Sequence, residues 1–127
     1  MLIAAERERW SVSQILLSLE ADYAETQFVL SSITLMEHGW HRAQNPKVAL
    51  ERRRYLDEIF AIISVEPFTR EMGVLAARID ADTRRTGRVI ATADLLIGVT
   101  ALYYGYAVGT RNVRHFQMIP GLTVIRL

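Results

Sequence analysis

The sequence predicts an α/β fold with a mostly parallel sheet. Short apolar runs rich in β-branched residues alternate with longer segments whose apolar residues recur at helical spacing, which is the pattern of βα units. The chain has 127 residues, 50% of them hydrophobic, and this length suits one domain with one core. It contains no internal repeat, low-complexity tract or linker, so we expect a single domain over residues 1–127.

The first half of the chain predicts helices around one short strand. It opens with "MLIAAERERW", which resembles the first turns of a buried helix, and residues 11–21 continue with apolar side chains at helical spacing. The run "QFVLSS" predicts a strand. Thr34 and Glu37 form the Ser/Thr-x-x-Glu pattern that opens helices. A further helix is predicted over residues 46–62, since proline suits a first helical turn.

The second half predicts two more helices between short strands. "SVEPF" is long enough only for a strand or a connection. From Thr69 to Thr86 apolar residues recur at helical spacing, and Gly87 stands where a glycine commonly ends a helix. "ADLLIGVTALYYG" is apolar almost all round, which predicts a deeply buried helix. The runs "YAVGT" and "LTVIRL" predict strands on either side of "RNVRHFQMIPG".

Composition excludes several kinds of site. The chain has no cysteine, which rules out disulfides, zinc–thiolate sites and thiol catalysis. Its first residues lack the pattern of a secretory signal, and no run reaches the roughly 18 apolar residues of a membrane span, so we expect a cytoplasmic protein. The net charge is +1, and of the 15 basic residues only Lys47 is a lysine. This bias reflects either a GC-rich genome or the suitability of guanidinium groups for phosphate.

Three polar residues stand where a parallel sheet commonly binds ligands: Glu37, Asp94 and Asn112. Glu37 and Asn112 follow predicted strands and would share one edge of the sheet, and Asp94 joins them if its helix starts at that edge. Each also has a purely structural explanation: Glu37 as a capping-box glutamate, Asp94 as an N-cap, and Asn112 as a turn or N-cap residue. Two carboxylates and an amide oxygen suit a hard cation such as Mg²⁺ or Mn²⁺.

Other polar groups are weaker candidates. His38 and His41 could form a transition-metal pair, but the glutamate of "EHGWH" precedes both, unlike that of the His-Glu-x-x-His zinc pattern, and surface histidines are the simpler explanation. Asp80 and Asp82, near Arg84, are expected to belong to an ion-paired helix face. The sequence has no phosphate-binding glycine loop and no nucleophile elbow.

The stretches "SSITLMEHG" and "AARIDADTRRTGRVIATADLLIGVTALYYGYAVGTRNVRHFQMIPGL" resemble a PIN-domain protein, and more narrowly the VapC-type toxins of bacterial toxin–antitoxin pairs. The resemblance covers nearly the whole chain. It is most specific in the last third, where "DLLIG", a strand, "TRN" and "HFQMIPGL" come in the family's order and spacing. It implies a small α/β/α sandwich, with the family's metal-binding positions at Glu37, Asp94 and Asn112. It assigns no role to His115.

By the same resemblance the protein is a metal-dependent endoribonuclease that hydrolyses RNA phosphodiester bonds with Mg²⁺ or Mn²⁺. A cation is needed because clustered carboxylates repel phosphate. Arg88, Arg111 and Arg114 are then candidates for holding flanking phosphates. Such toxins usually form homodimers and are neutralised by a VapB-like antitoxin, and we expect the early helix and helix 46–62 to provide contact surfaces.

The start of the chain departs from the family. Family members begin with a strand that ends in an aspartate, the foremost metal ligand, before a helix start of the form "VLIAAER". This chain begins "MLIAAER", so we expect the first strand and its aspartate to be absent, and metal binding and RNA cleavage to be impaired. Two explanations stay open: a natural start upstream of Met1, or a truncated, catalytically silent module that binds antitoxin or RNA.

Overall fold

Five short strands form the centre of the computed structural model, which describes residues 1–3, 26–37, 43–61 and 63–127. The strands are β1 (Leu2–Ile3), β2 (Val29–Ser31), β3 (Ser64–Glu66), β4 (Val108–Thr110) and β5 (Val124–Arg126). Every pairing among them is parallel, and their order across the sheet is β3-β2-β1-β4-β5. The prediction of an α/β fold with a mostly parallel sheet is confirmed.

Helices connect these strands within the described ranges. They are α1 (Ser32–Glu37), α2 (Pro46–Phe60), α3 (Arg70–Arg85), α4 (Thr92–Tyr104) and α5 (Val113–Phe116). As predicted, α3 follows Thr69 and ends before Gly87, which has a φ of 77° that glycine adopts without steric cost. None of the helices in this part of the chain is long and apolar enough to cross a bilayer. The helix predicted over residues 11–21 and the pair His38 and His41 lie outside the described residues.

Apolar side chains cover both faces of the sheet, which is therefore the middle layer of an α/β/α sandwich. The larger core includes α3, α4 and α5, and Met72 and Val99 are completely buried in it. A second cluster contains Leu30 of β2 and Ile63, packed with Tyr55 of α2 among others. Burial of each large apolar side chain contributes about 1.5–3 kcal/mol. The two layers therefore fix the positions of the strands whose ends carry the candidate site.

The first strand is present in the structure, which corrects the expectation that the chain starts inside a helix after an absent strand. Leu2 and Ile3 pair in parallel with β2 on one side and with β4 on the other. Buried backbone groups need hydrogen-bond partners, and β1 supplies them to both neighbouring strands. Neither residue of β1 carries a carboxylate, and residues 4–25 lie outside the described part of the chain. The single domain over residues 1–127 stays a prediction.

The start of α1 also differs from the prediction. The helix begins at Ser32 rather than near Thr34, and Ser31 serves its first turn by accepting a hydrogen bond from the Ile33 N–H through Oγ at 3.2 Å. Thr34 lies inside the helix, and within the described residues its buried Oγ1 has no hydrogen-bond partner. The capping-box explanation for Glu37 is therefore wrong, because α1 begins at Ser32 and Thr34 is not its N-cap.

Candidate metal site at the carboxyl edge of the sheet

The ends of β2 and β4 direct the chain to one edge of the sheet. β2 leads directly into α1, whose last residue is Glu37, and Asn112 follows β4 just before α5. α4 starts at the same edge, because Asp94 in its first turn contacts His115 of α5. The structure thus brings Asp94 and Asn112 together at His115. For Glu37 it gives only the position of the backbone, in α1 after β2.

Asp94 and Asn112 meet at the imidazole ring of His115. Asp94 Oδ2 lies 2.8 Å from His115 Nδ1, and Asn112 Nδ2 lies 2.7 Å from the same nitrogen. Asp94 and His115 are 21 residues apart in the chain, so the fold rather than local geometry creates this contact. The side chain of Asp94 is 20% exposed and that of His115 is 46% exposed. The cluster is therefore partly shielded and still within reach of solvent.

Hydrogen-bond chemistry limits how these three groups are satisfied. A ring nitrogen carries at most one hydrogen, so Nδ1 cannot donate to Asp94 and accept from Asn112 at the same time. Donation to the Asp94 carboxylate requires the hydrogen on Nδ1. The Asn112 amide must then turn so that its oxygen, rather than its Nδ2 group, faces this N–H. In that arrangement a carboxylate oxygen and an amide oxygen face one point. A bound cation requires the same convergence of oxygens.

Close packing of α5 on α4 creates the cluster. Gly98 lies one turn after Asp94 on α4, and a Cβ added there would overlap Ile119 Cδ1 and lie 3.4 Å from Phe116 Cδ1. Phe116 follows His115 directly and is buried in the larger core. The missing side chain of Gly98 thus leaves room for Ile119, which follows α5, and for the ring of Phe116 beside His115.

The purely structural explanations for Asp94 and Asn112 lose support in the structure. The N-cap of α4 is Ala91, so the interpretation of Asp94 as an N-cap is wrong. Asn112 does occupy the N-cap position of α5, but its side chain makes no capping hydrogen bond and contacts His115 instead. The backbone N–H of Asn112 donates to Thr110 Oγ1 at 3.0 Å, which fixes the turn after β4.

The arginines proposed for phosphate contacts are all exposed. Arg111 and Arg114 lie on either side of Asn112 in the sequence, in the turn after β4 and in α5. Arg88 lies in the connection between α3 and α4, before Asp94. Two of the three arginines therefore belong to the same short segment as the cluster.

His115 is the polar residue of this edge that the sequence did not single out. It stands three residues after Asn112, which is the spacing of side chains on one face of a helical turn. That spacing was the available signal for its contact with Asn112. Its contact with Asp94 depends on the packing of two separate helices, and no local pattern predicts it.

The donor atoms of the cluster fit a divalent cation with a preference for oxygen. Within the described residues, no three His, Asp or Glu side chains converge as a metal site. The cluster instead combines a carboxylate, an amide and an imidazole, with Glu37 as a further acidic residue at the end of α1. With oxygen ligands and no sulfur, Mg²⁺ and Mn²⁺ are the cations that these residues suit.

Known proteins resemble this chain over almost its full length. No protein-family model matches it. Ribonuclease VapC1 of Rickettsia felis is 28% identical over 125 residues, which covers 98% of this chain and 90% of that protein.

Solved structures share the fold. The crystal structure of VapBC2 from Rickettsia felis bound to a DNA fragment from their promoter contains a chain that matches with a TM-score of 0.83 and 19% identity, covering 98% of this chain and 96% of that one. DNA-bound VapBC from Salmonella typhimurium matches with a TM-score of 0.79 and 19% identity, at 98% and 96% coverage. The chain has the fold of the VapC-type PIN-domain proteins, and the resemblance seen in its sequence is confirmed.

Proposed function

We propose that this protein is a metal-dependent endoribonuclease of the VapC toxin type, which hydrolyses RNA phosphodiester bonds with Mg²⁺ or Mn²⁺. The observation that carries the proposal is the contact of Asp94 and Asn112 with one nitrogen of His115 at the carboxyl edge of a parallel sheet. The similarity to Ribonuclease VapC1 over 98% of the chain supports the same activity.

Glu37, Asp94 and Asn112 are the proposed ligands, through carboxylate and amide oxygens. The chemistry that a divalent cation supplies at such a site is neutralisation of negative charge and a lower pKa for water. The chain itself restricts the positions of two of these ligands. Asp94 is held by its hydrogen bond to His115, and Asn112 is held by the bond from its backbone to Thr110. Groups fixed in this way need little rearrangement when the substrate binds.

Arg88, Arg111 and Arg114 are the proposed contacts to RNA phosphates on either side of the scissile bond. A guanidinium group donates two parallel hydrogen bonds to a phosphate and keeps its charge at every physiological pH. Arg111 and Arg114 are both exposed and lie next to Asn112 and His115 in the sequence, so they can reach an RNA strand that lies across this edge of the sheet.

The proposed partner is a VapB-like antitoxin, and the protein is proposed to act as a homodimer in the cytoplasm. Solved structures of similar fold are of VapBC from Rickettsia felis and Salmonella typhimurium. The exposed side of α2, which includes Arg52 and Arg54, is the described surface that we expect such a partner to contact.

The function is tested by RNA cleavage with the full chain in Mg²⁺ or Mn²⁺. Because neither residue of β1 carries a carboxylate, we expect slow cleavage, which EDTA abolishes and excess metal restores. Glu37→Ala should lower the rate by about tenfold to a hundredfold or more, since even residues that only orient metal ligands cost this much when lost. Glu71→Ala is the matched control, because Glu71 is an exposed glutamate in the first turn of α3 and should not alter cleavage. Cleavage indifferent to EDTA and to Glu37→Ala would contradict the metal mechanism. No cleavage at all would contradict the nuclease and favour the alternative, a catalytically silent module that binds antitoxin or RNA.

A further inference from the structure

Arg126 is an exposed basic residue at the carboxyl edge of the sheet that no pattern in the sequence singles out. It is the last residue of β5, which ends the strand order beside β4. In the parallel register of these two strands, Arg126 lies opposite Thr110, the last residue of β4. Because neighbouring strands are about 4.8 Å apart, the backbone of Arg126 is one strand spacing from the start of the turn that leads to Asn112.

The side chain of Arg126 leaves the sheet on the face that α5 covers. Residues in register project from the same face of a pleated sheet, and alternate residues along a strand share a face. Val108 and Val124 are in register and both pack in the larger core, which includes Phe116 of α5. Thr110 and Arg126 follow two residues later on their strands, so they lie on that face as well. Arg126 is therefore on the side of the sheet that carries Phe116, beyond the end of the core and in contact with solvent.

Thr110 fixes the end of β5 relative to the turn that carries Asn112. Its Oγ1 accepts a hydrogen bond from the backbone N–H of Asn112 at 3.0 Å, and its carbonyl oxygen accepts one from the N–H of Leu127, also at 3.0 Å. Thr110 is completely buried, and hydrogen bonds shielded from water are electrostatically stronger. The sheet itself therefore sets the separation of Arg126 from Asn112.

The two outermost strands of the sheet end in residues of opposite charge. β3 ends in Glu66, whereas β5 ends in Arg126. In the part of the chain that the structure describes, no carboxylate forms a salt bridge with Arg126. Arg114 adds a second exposed guanidinium in α5, which packs against β5. A chain of phosphates is therefore attracted to the β5 end of this edge and repelled by the carboxylate that ends β3.

We propose that Arg126 binds a phosphate of the RNA next to the candidate metal site, so that the RNA strand lies across the ends of β4 and β5. This inference rests on the proposed function, which places the scissile phosphate at that edge. A guanidinium group suits the role because it donates two parallel hydrogen bonds to a phosphate and keeps its charge. Arg126 contributes to binding and positioning of the RNA and does not touch the reacting atoms.

The first test is binding of a short labelled single-stranded RNA to the full chain in Mn²⁺ at several salt concentrations. Arg126→Gln should lower the slope of log affinity against log salt by about 0.7–1, the value of one phosphate contact, which corresponds to about a fivefold loss of affinity at about 0.1 M salt. Arg126→Lys keeps the charge and should keep the slope. Arg70→Gln is the matched control, because Arg70 is an exposed arginine that follows β3, and it should change neither quantity. In cleavage assays Arg126→Gln should raise KM and leave kcat unchanged.

The absence of cysteine from the chain allows a second measurement that locates the RNA directly. The new thiol in Arg126→Cys is modified by a water-soluble maleimide, and bound RNA should slow this modification severalfold. Arg70→Cys places the same group at the first residue of α3 and should be modified at one rate with and without RNA. Neither rate depends on cleavage.

The outcomes distinguish this inference from the proposed function. An unchanged salt slope in Arg126→Gln, equal losses in Arg126→Gln and Arg70→Gln, or no protection of Arg126→Cys by RNA would overturn the assignment, and so would a protein that binds no RNA. A lower slope and protection at position 126 alone, in a protein that never cleaves RNA, would support the contact and refute the nuclease.

Discussion

Asp82 on α3 pairs with Arg85 of its own helix, whereas Asp94 on α4 contacts His115, which a different helix supplies. The first pair spans three residues, and its acidic and basic side chains are 57% and 75% exposed. The second spans 21 residues, and the side chain of Asp94 is 20% exposed. A local pair follows from helical spacing and is worth only about 0.2–0.5 kcal/mol. A contact across 21 residues requires the fold to bring the groups together.

The comparison separates ion pairs on the exposed face of one helix from polar groups that the fold brings together from two helices. Asp80 and Arg84, 3.0 Å apart, repeat the local arrangement on α3, and the prediction of an ion-paired face there is confirmed. If the cluster on α4 and α5 is functional, substitutions in it should change metal binding and cleavage. Equivalent substitutions on α3 should change neither.

The largest effect is expected from removing one carboxylate in each region. Asp94→Asn keeps the shape of the side chain and removes its charge, so we expect Mn²⁺ affinity to fall by about a hundredfold or more, with a matching loss of RNA cleavage. Asp82→Asn makes the same chemical change on α3 and should leave both unchanged. Calorimetric titration with Mn²⁺ measures the affinities. Equal losses in the two variants would show that the comparison between the regions has no functional meaning.

A second test concerns the packing that creates the cluster. Gly98→Ala adds a methyl group that overlaps Ile119 Cδ1 in the core, and overpacking of this kind costs about 1–3 kcal/mol, against the roughly 1 kcal/mol that alanine gains over glycine in a helix. Gly73→Ala on α3 is the matched control. The nearest atom to its added methyl group is Phe68 Cε1 at 3.9 Å, so this variant should be more stable by up to about 1 kcal/mol.

Urea unfolding followed by circular dichroism measures both free energies of unfolding. We also expect Gly98→Ala to weaken Mn²⁺ binding if Ile119 relieves the overlap by moving the segment that contains Phe116 and His115. Stability and metal affinity equal to those of Gly73→Ala would mean that the close approach at Gly98 does not position the cluster.

The order of most helices and strands was predictable from the sequence, because periodicity and turn residues are local. α4 is the clearest case, since its continuous apolar sequence requires burial and Val99 is completely buried. β1 was missed because two residues have no periodicity, and Leu2–Ile3 become a strand only by pairing with β2 and β4. The edge shared by Asp94 and Asn112 followed from the rule for parallel sheets. The place of His115 did not, because it depends on how closely α5 packs against Gly98.

The smallest effect is expected from substituting single arginines. The salt dependence of RNA binding should then differ between the two regions. Arg114→Gln removes one proposed phosphate contact, so the slope of log affinity for RNA against log salt concentration should decrease by about 1. Arg84→Gln removes an equal charge from α3 and should leave the slope unchanged, at a cost of about 0.3–0.5 kcal/mol in stability from the lost pair with Asp80. Fluorescence titration with a labelled RNA at several salt concentrations gives the slopes. A slope that falls equally in both variants would mean that the RNA responds to the net charge of the protein, and Arg114 would then have no specific place beside the cluster.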